Sequence, residues 1–417
     1  MKSRLVSATV LAAGLALGGL AHGAPPAKSY KVSLTAPASP NGATIEITKA
    51  SKVQIKASSN TVTFALKSLN ANFLHNVARQ GSVIYPREAV ETMKSHPIGT
   101  GPFRFDEWVR GDRIVLVRNG DYHVKGLPRL DRVTFRFIPD PNAVLAALKA
   151  GDVDASMFGL GPEHVQDVQR DARFSVIVGD TTNDVILAMN NSRKPYADAR
   201  VRRAITHGIN KQDVLKGAMF GMGKVLGSNV DPLNPYYVDM SKAVPYDPAA
   251  AKKLLTEAGY PNGFDTVLKV APQYYYTVRS GEVIAENLKK VGVNVKIEQI
   301  EWGQWLSRVF READFDLTII GHGEAWDIKN YANPKYYFRY DSARFQELFK
   351  QSEVTLDDKA RRELFAQMQK LMAEDAPVVW LYAHPNVVVA KKGLQGFWKD
   401  LPAPAYHVSE VGWAPAK

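Results

Sequence analysis

A stretch of seventeen residues, FDLTIIGHGEAWDIKNY, sets four side chains capable of chemistry behind a short apolar run. Residues 317–320 read as a buried strand, and His322, Glu324, Trp326 and Asp327 follow it directly. Two carboxylates there could cap a helix, sit in a solvated loop or meet a ligand. Pockets hold few charged groups, so only one of them is expected to make contact. His322 beside Glu324 could touch a metal or a metal-bearing ligand, but zinc and nickel sites need several ligands and no second cluster is visible in the sequence. A polar loop residue is therefore the reading for His322, and no metal site is expected. A second stretch, QYYYT at 273–277, offers three aromatic rings that could stack on a ligand or fill a surface. Because alternate side chains of an extended segment point opposite ways, Tyr274 or Tyr276 is the expected contact. Trp302 and Trp305 read as core.

Catalytic signatures are missing. FGMGKVLG, at 220–227, has glycines at the wrong spacing for a dinucleotide turn and no Lys-Ser pair for a phosphate loop, so it reads as an ordinary turn. The chain holds no G-x-S-x-G, no H-E-x-x-H and no cysteine. No enzyme activity, no catalytic residue and no cofactor are expected.

The elements that must position these residues follow from periodicity. Alternating, β-branched segments predict strands at 44–55 and 61–66, and a short helix follows at 70–78. IGTGPFRFDEWVRGDRIVLVRN reads as a hairpin turning at Gly111 and Asp112, with a further strand at 133–138. A helix at 142–150 closes at Gly151, and a short strand occupies 153–157. ARVRRAITHGI carries a helical apolar stripe, and 247–258 has an Asp-Pro helix start and a stop at Gly259. Residues 264–300 read strand, loop, helix, strand, which implies parallel pairing. A helix around 305–310, two long helices at 342–355 and 359–374, and strands in VVWLYAH and NVVVAK complete an α/β architecture.

Composition bounds the class. With 417 residues, 45% of them hydrophobic and 23% charged, the chain can build two or three lobes with cores of their own. Lys2 and Arg4 precede an apolar run at 5–20, and Ala21, His22 and Gly23 suit a signal peptidase. Residues 1–23 are therefore expected to be a cleaved signal, too short in its apolar core to span a bilayer. Since the chain has no cysteine, it can be neither a lipoprotein nor disulfide-stapled, and a periplasmic location is expected. The net charge of +11, about +9 once Lys2 and Arg4 are removed, is spread among acids, so a solvated basic exterior is preferred to nucleic-acid binding.

IGTGPFRFDEWVRGDRIVLVRNGDYHVKGLPRLDRVTFRFIPDPNAVLAALKAGDVD closely resembles the cluster-C, or family 5, extracellular solute-binding proteins of ABC importers. PYADARVRRAITHGINKQDVL, YDPAAAKKLLTEAGYPNGF, IAENLKKVGVNVKIEQIEWGQWL and AQMQKLMAEDAPVVWLY extend the resemblance over nearly everything after residue 44. It implies a two-lobed periplasmic binding protein of type II with a hinge between lobes: lobe one at 24–187 plus 385–417, lobe two at 188–384. The family's usual opening strand of lobe one and much of an extra subdomain, with its Phe-His-Asp-Gly run, have no counterpart ahead of residue 44, so lobe one is expected to be shortened. The implied partners are a small peptide or peptide-like ligand and the ABC permease subunits of the inner membrane, with no nucleic acid; a monomer is expected. Oligosaccharide, opine and metal-chelate binding are the alternatives within the fold, and a transport-defective, chaperone-like envelope protein is the alternative outside it. In peptide-binding relatives, the loop after this strand presents an aspartate near a tryptophan that pairs with the peptide's ammonium group. Asp327 beside Trp326 is the nearest match, with Glu324 as the alternative. Ligands in such sheets sit beyond the carboxyl ends of the strands, where GHGEAWD falls.

Overall fold

The computed structural model describes residues 31–35, 53–58, 61–66, 68–77, 85–157, 159–323, 326–402 and 406–415. The expected signal and the first part of the expected 44–55 strand lie outside them. Contacts divide the chain into two compact units, residues 1–138 with 408–417 and residues 139–407. The expected lobe boundaries, near 187 and 385, both fall in the second unit. Among the described residues no helix is long and apolar enough to cross a membrane.

The first unit holds two small antiparallel sheets. Strands β1 (Lys31–Thr35), β2 (Val53–Ser58) and β3 (Thr61–Leu66) pair in the order β1-β3-β2, and helix α1 (Phe73–Val77) follows. Strands β4 (Phe103–Val109), β5 (Arg113–Arg118) and β6 (Arg132–Arg136) form the second sheet, in sequence order. The β4–β5 hairpin turns where expected, because Gly111 takes up a φ of 80° that a side chain would resist.

In the second unit, helix α2 (Pro141–Ala150) starts where Asp140 accepts a hydrogen bond from the Ala143 amide and stops where Gly151 enters the left-handed region. Strand β7 (Ala155–Ser156), helix α3 (Pro162–Gln169) and strand β8 (Phe174–Gly179) follow. Then come β9 (Asp184–Met189), α4 (Ala199–Gly208), α5 (Lys211–Met219) and β10 (Lys224–Val225). Helix α6 (Pro248–Glu257) begins at the expected Asp247-Pro248 pair and leads to β11 (Phe264–Val270), α7 (Tyr275–Lys289) and β12 (Val293–Gln299). The short α8 (Trp302–Gln304) runs into a π-helical segment, Trp305–Arg311. The chain continues through β13 (Leu317–His322), α9 (Ile328–Tyr331), α10 (Ala343–Val354), α11 (Asp358–Asp375), β14 (Val378–Ala383) and β15 (Asn386–Lys391).

A six-stranded mixed sheet ordered β10-β14-β9-β13-β11-β12 organises this unit, with β11 parallel to both β12 and β13. All six residues of β9 and all six of β14 are buried, as expected for strands covered on both faces. Successive β9 side chains alternate between two cores. Val185, Leu187 and Met189 join Val201, Ile205, Leu255 and Ile284, while Ile186 and Ala188 join Trp305, Phe315, Phe345 and Phe365. Each large side chain so buried contributes about 1.5–3 kcal/mol. A second, three-stranded layer is ordered β7-β15-β8.

The two layers are joined twice. Residues 180–183 lead from β8 to β9, and His384 and Pro385 lead from β14 to β15. The two links are tied together: the Thr181 hydroxyl donates to the His384 carbonyl at 2.5 Å, and the His384 amide donates to the Asn183 carbonyl at 2.8 Å. At the end of β8, a Cβ on Gly179 would lie 1.8 Å from the Lys399 carbonyl oxygen, so only glycine lets residues 399–401 close over the first link. They are held there by the Asp180 amide, which donates to Asp400, and by the Leu401 amide, which donates to the Asp180 carbonyl.

Candidate functional site

A cavity of about 210 Å³ opens where the links meet the two layers. Its floor is made by the links themselves, through Thr181, Thr182, Asn183, His384, Pro385 and Asn386. Met219, Met222 and Tyr275 line it from the six-stranded side, and Met157, Leu160 and Val165 from the three-stranded side. Flexible thioethers and an aromatic ring suit a surface that must fit varied apolar shapes. The Asn183 Oδ1 atom is buried with no hydrogen-bond partner and packs against Gly321 of β13. Burial pushes the His384 imidazole down to about 4, so the ring is neutral at physiological pH. Its Nδ1 lies 3.0 Å from the Pro385 carbonyl, which fixes that nitrogen as the protonated one. Among the described lining residues there is thus no ionised side chain.

One ion pair bridges the layers beside the cavity. Glu163, in the first turn of α3, meets Arg279 of α7 through two parallel contacts of 2.8 and 2.9 Å. The guanidinium holds the Glu163 carboxyl below its ordinary range and itself lies 5.2 Å from the centre of the Tyr275 ring.

Behind the floor lies a buried polar cluster. Asp184 opens β9 and is paired in register with His322, the last residue of β13. The His322 Nδ1 atom is 3.2 Å from Asp327 Oδ2, and its Nε2 is 3.0 Å from the Tyr337 hydroxyl. The Asn229 amide donates to the other Asp327 oxygen at 2.7 Å. Asp184, Asp231 and Asp327 are 2%, 4% and 2% exposed, and among the described residues no lysine or arginine pairs with them. Burial, reinforced by the neighbouring charges of Asp327 and Asp231, pushes the Asp184 carboxyl well above its ordinary value.

The six residues singled out in the sequence fare differently. Asp327 and His322 are brought together, but within this cluster and not on the cavity wall. The Trp326 ring is buried against Tyr236 and Phe365. Glu324 lies outside the described residues; Gly323, which precedes it, lines the cavity. The QYYYT segment is not an extended loop: Tyr274 is the N-cap of α7 and the next two tyrosines begin the helix. Strand alternation therefore does not apply there. Tyr275 faces the cavity, Tyr276 is buried with its hydroxyl accepting from the Gly321 amide, and Tyr274 packs edge-on against Trp302. Trp305 is core, as expected, at 3% exposed. Sequence reasoning missed the link residues Thr181, Asn183 and His384. The available signal was their position between consecutive strand patterns that belong to different sheets.

A family model described as bacterial extracellular solute-binding proteins, family 5 Middle, matches residues 22–360. The chain is similar to the oligopeptide-binding protein AppA of Bacillus subtilis, 28% identical over 85% of this chain and 70% of that protein. It is 27% identical to heme-binding protein A of Haemophilus influenzae, over 77% of this chain and 62% of that one. Among solved structures, the ABC transporter-associated periplasmic binding protein DppA of Helicobacter pylori, in complex with a peptide, matches with a TM-score of 0.77 at 25% identity, over 87% of this chain and 74% of that one.

Proposed function

The chain belongs to the bacterial extracellular solute-binding proteins of family 5, and from that premise we propose that it is the periplasmic binding component of an ABC importer, capturing a small peptide or peptide-like solute and handing it to the permease. The observation that carries this reading is the cavity at the double link. A ligand there touches both layers at once, so its binding energy favours the conformation in which they approach. The lobes we propose are those joined at the links: the boundary expected near 187 moves to the link at 180–183, because all of β9 lies in the six-stranded sheet, and the second crossing is at His384 and Pro385. At about 210 Å³ the cavity is smaller than the roughly 300–1,000 Å³ of drug-sized pockets, which suits a dipeptide-sized solute. No bond is made or broken in this role.

A peptide's ammonium group buried in such a cavity needs a carboxylate, because an unpaired buried charge costs several kcal/mol. Asp327 is committed to Asn229 and His322. We therefore assign the anchor to Glu324, which follows the lining residue Gly323. The test combines native mass spectrometry of the purified protein with calorimetric titration of dipeptides. Retained peptide, and a loss of roughly 2–5 kcal/mol of affinity in Glu324→Gln that exceeds the loss in Asp327→Asn, is the expected result. N-acetylated dipeptides should bind poorly. Equal affinity for free and acetylated peptides would remove the ammonium anchor, and a retained sugar, opine or metal chelate would replace the peptide reading itself.

A further inference from the structure

The buried cluster behind the cavity floor contains more anionic groups than its surroundings satisfy. One ligand atom each from Asp184, His322 and Asp327 can be chosen so that all three lie within 4.8 Å of one another. Two buried acceptors of these and neighbouring side chains have no hydrogen-bond partner. Asp184 Oδ2 is buried without a hydrogen-bond partner, and so is Oδ1 of Asn229, a residue 8% exposed. The Asn229 Nδ2 donates to Asp327 Oδ1, the carboxylate oxygen that does not face His322. Orphaned buried acceptors of this kind are rare and call for a partner.

We propose that Asp184, His322 and Asp327 bind one divalent first-row transition ion, with Zn²⁺ as the representative, and that a water completes the shell. The donor set of one imidazole nitrogen and two carboxylate oxygens is of the type these ions take. Bonds of about 2.0–2.1 Å place neighbouring tetrahedral ligands about 3.3 Å apart, and His322 Nδ1 and Asp327 Oδ2 already stand at 3.2 Å. The remaining separations, up to 4.8 Å, must close for the full set to reach that spacing. A divalent ion cancels the charge of the two ligating carboxylates with the imidazole neutral, and it also faces the buried Asp231 carboxyl close by.

The outer contacts fit the same role. With Nδ1 on the metal, His322 Nε2–H donates to the Tyr337 hydroxyl, and the remaining oxygen of Asp327 accepts from Asn229. Metal-bound imidazoles and carboxylates are held by such second partners. The site is independent of the transported solute, yet it clamps the ends of β9 and β13 next to the lining residues Asn183 and Gly323. The ion would therefore set the shape of the cavity floor.

The test uses the intact protein, first stripped with a chelator and then titrated with ZnCl₂. The expected result is uptake of one ion per chain, a raised melting temperature and, with Co²⁺ in place of Zn²⁺, a visible absorption band that Zn²⁺ bleaches. Asp184→Asn should lower Zn²⁺ affinity by roughly 100-fold and Tyr337→Phe by about 10-fold, the latter without removing a ligand. If Asp184→Asn fails to fold, the Tyr337→Phe titration and the Co²⁺ band of the parent protein still decide. Absence of one-to-one uptake would overturn the proposal and leave a proton on Asp184 as the neutralising group. Uptake that neither substitution weakens would overturn it as well, placing the ion elsewhere on the surface.

Discussion

The ion pair between Glu163 and Arg279 joins the two layers beside the cavity, and breaking it should shift the protein toward its open form. The contact is bidentate, at 2.8 and 2.9 Å, but the two side chains are 31% and 32% exposed. Exposed pairs are worth about 0.2–1 kcal/mol and charged hydrogen bonds about 1.5–3 kcal/mol, so a pair one-third exposed should contribute about 1–2 kcal/mol. That corresponds to roughly 5- to 30-fold in the ratio of closed to open protein, and to a similar factor in the affinity of any solute that needs closure. Glu163→Gln, Arg279→Gln and the double variant form a cycle, read by solute titration and by a distance probe between α3 and α7. Gly161→Ala offers an independent route, because a Cβ there would lie 2.6 Å from Glu163 Oε1 and push the carboxylate away. The pH dependence has a fixed sign. Arg279 depresses the Glu163 pKa, so the contribution is complete above the ordinary carboxylate value and is lost as pH falls through the lower folded value. A coupling energy under about 0.3 kcal/mol, with affinity unchanged in both single variants, would refute the reasoning, since pairs that close are expected to couple measurably.

Two further outcomes follow from the cavity floor. His384 is neutral in the folded protein with a pKa of about 4, whereas the unfolded chain takes up a proton near the ordinary histidine value. Stability should therefore fall by about 3 kcal/mol as pH drops from roughly 6.5 to 4, and His384→Gln should flatten that profile in thermal melts recorded across the range. Gly321→Ala places a methyl group 2.7 Å from Asn183 Oδ1 and 3.0 Å from the Tyr276 hydroxyl. Solute affinity should drop by about tenfold or more, with a loss of about 1–3 kcal/mol in stability from overpacking; urea melts and titration measure the two.

Much of the framework could be read from local chemistry. Asp140 and Gly151 bracket α2, Asp247-Pro248 opens α6, Gly111 turns the hairpin, and 264–300 forms the expected parallel strand–helix–strand unit. Each of these signals is confined to a few neighbouring residues. The cavity is different, because Met157, Thr181, Met219, Tyr275, His384 and Tyr406 come from six separate parts of the chain and meet only through sheet order. Asp184 is legible as a strand end but not as a neighbour of His322, since only the antiparallel register of β9 with β13 sets them opposite each other. The QYYYT segment misleads for a related reason. Three consecutive aromatics favour extended chain by propensity, yet packing of Tyr276 under Gly321 draws the segment into the first turn of α7.

The pairing of the links has a mechanical consequence. β8 and β15 are hydrogen-bonded neighbours, β9 and β14 are hydrogen-bonded neighbours, and the links continue each strand into the next. The four strands therefore act as one two-ply ribbon that passes from one layer into the other. A ribbon of this kind resists stretching and sideways shear, since either would break its ladder, and it bends most readily at the joint, where only the Thr181–His384 and His384–Asn183 hydrogen bonds tie the links. Relative motion of the layers is thereby reduced to very few coordinates, and a search over those coordinates is short.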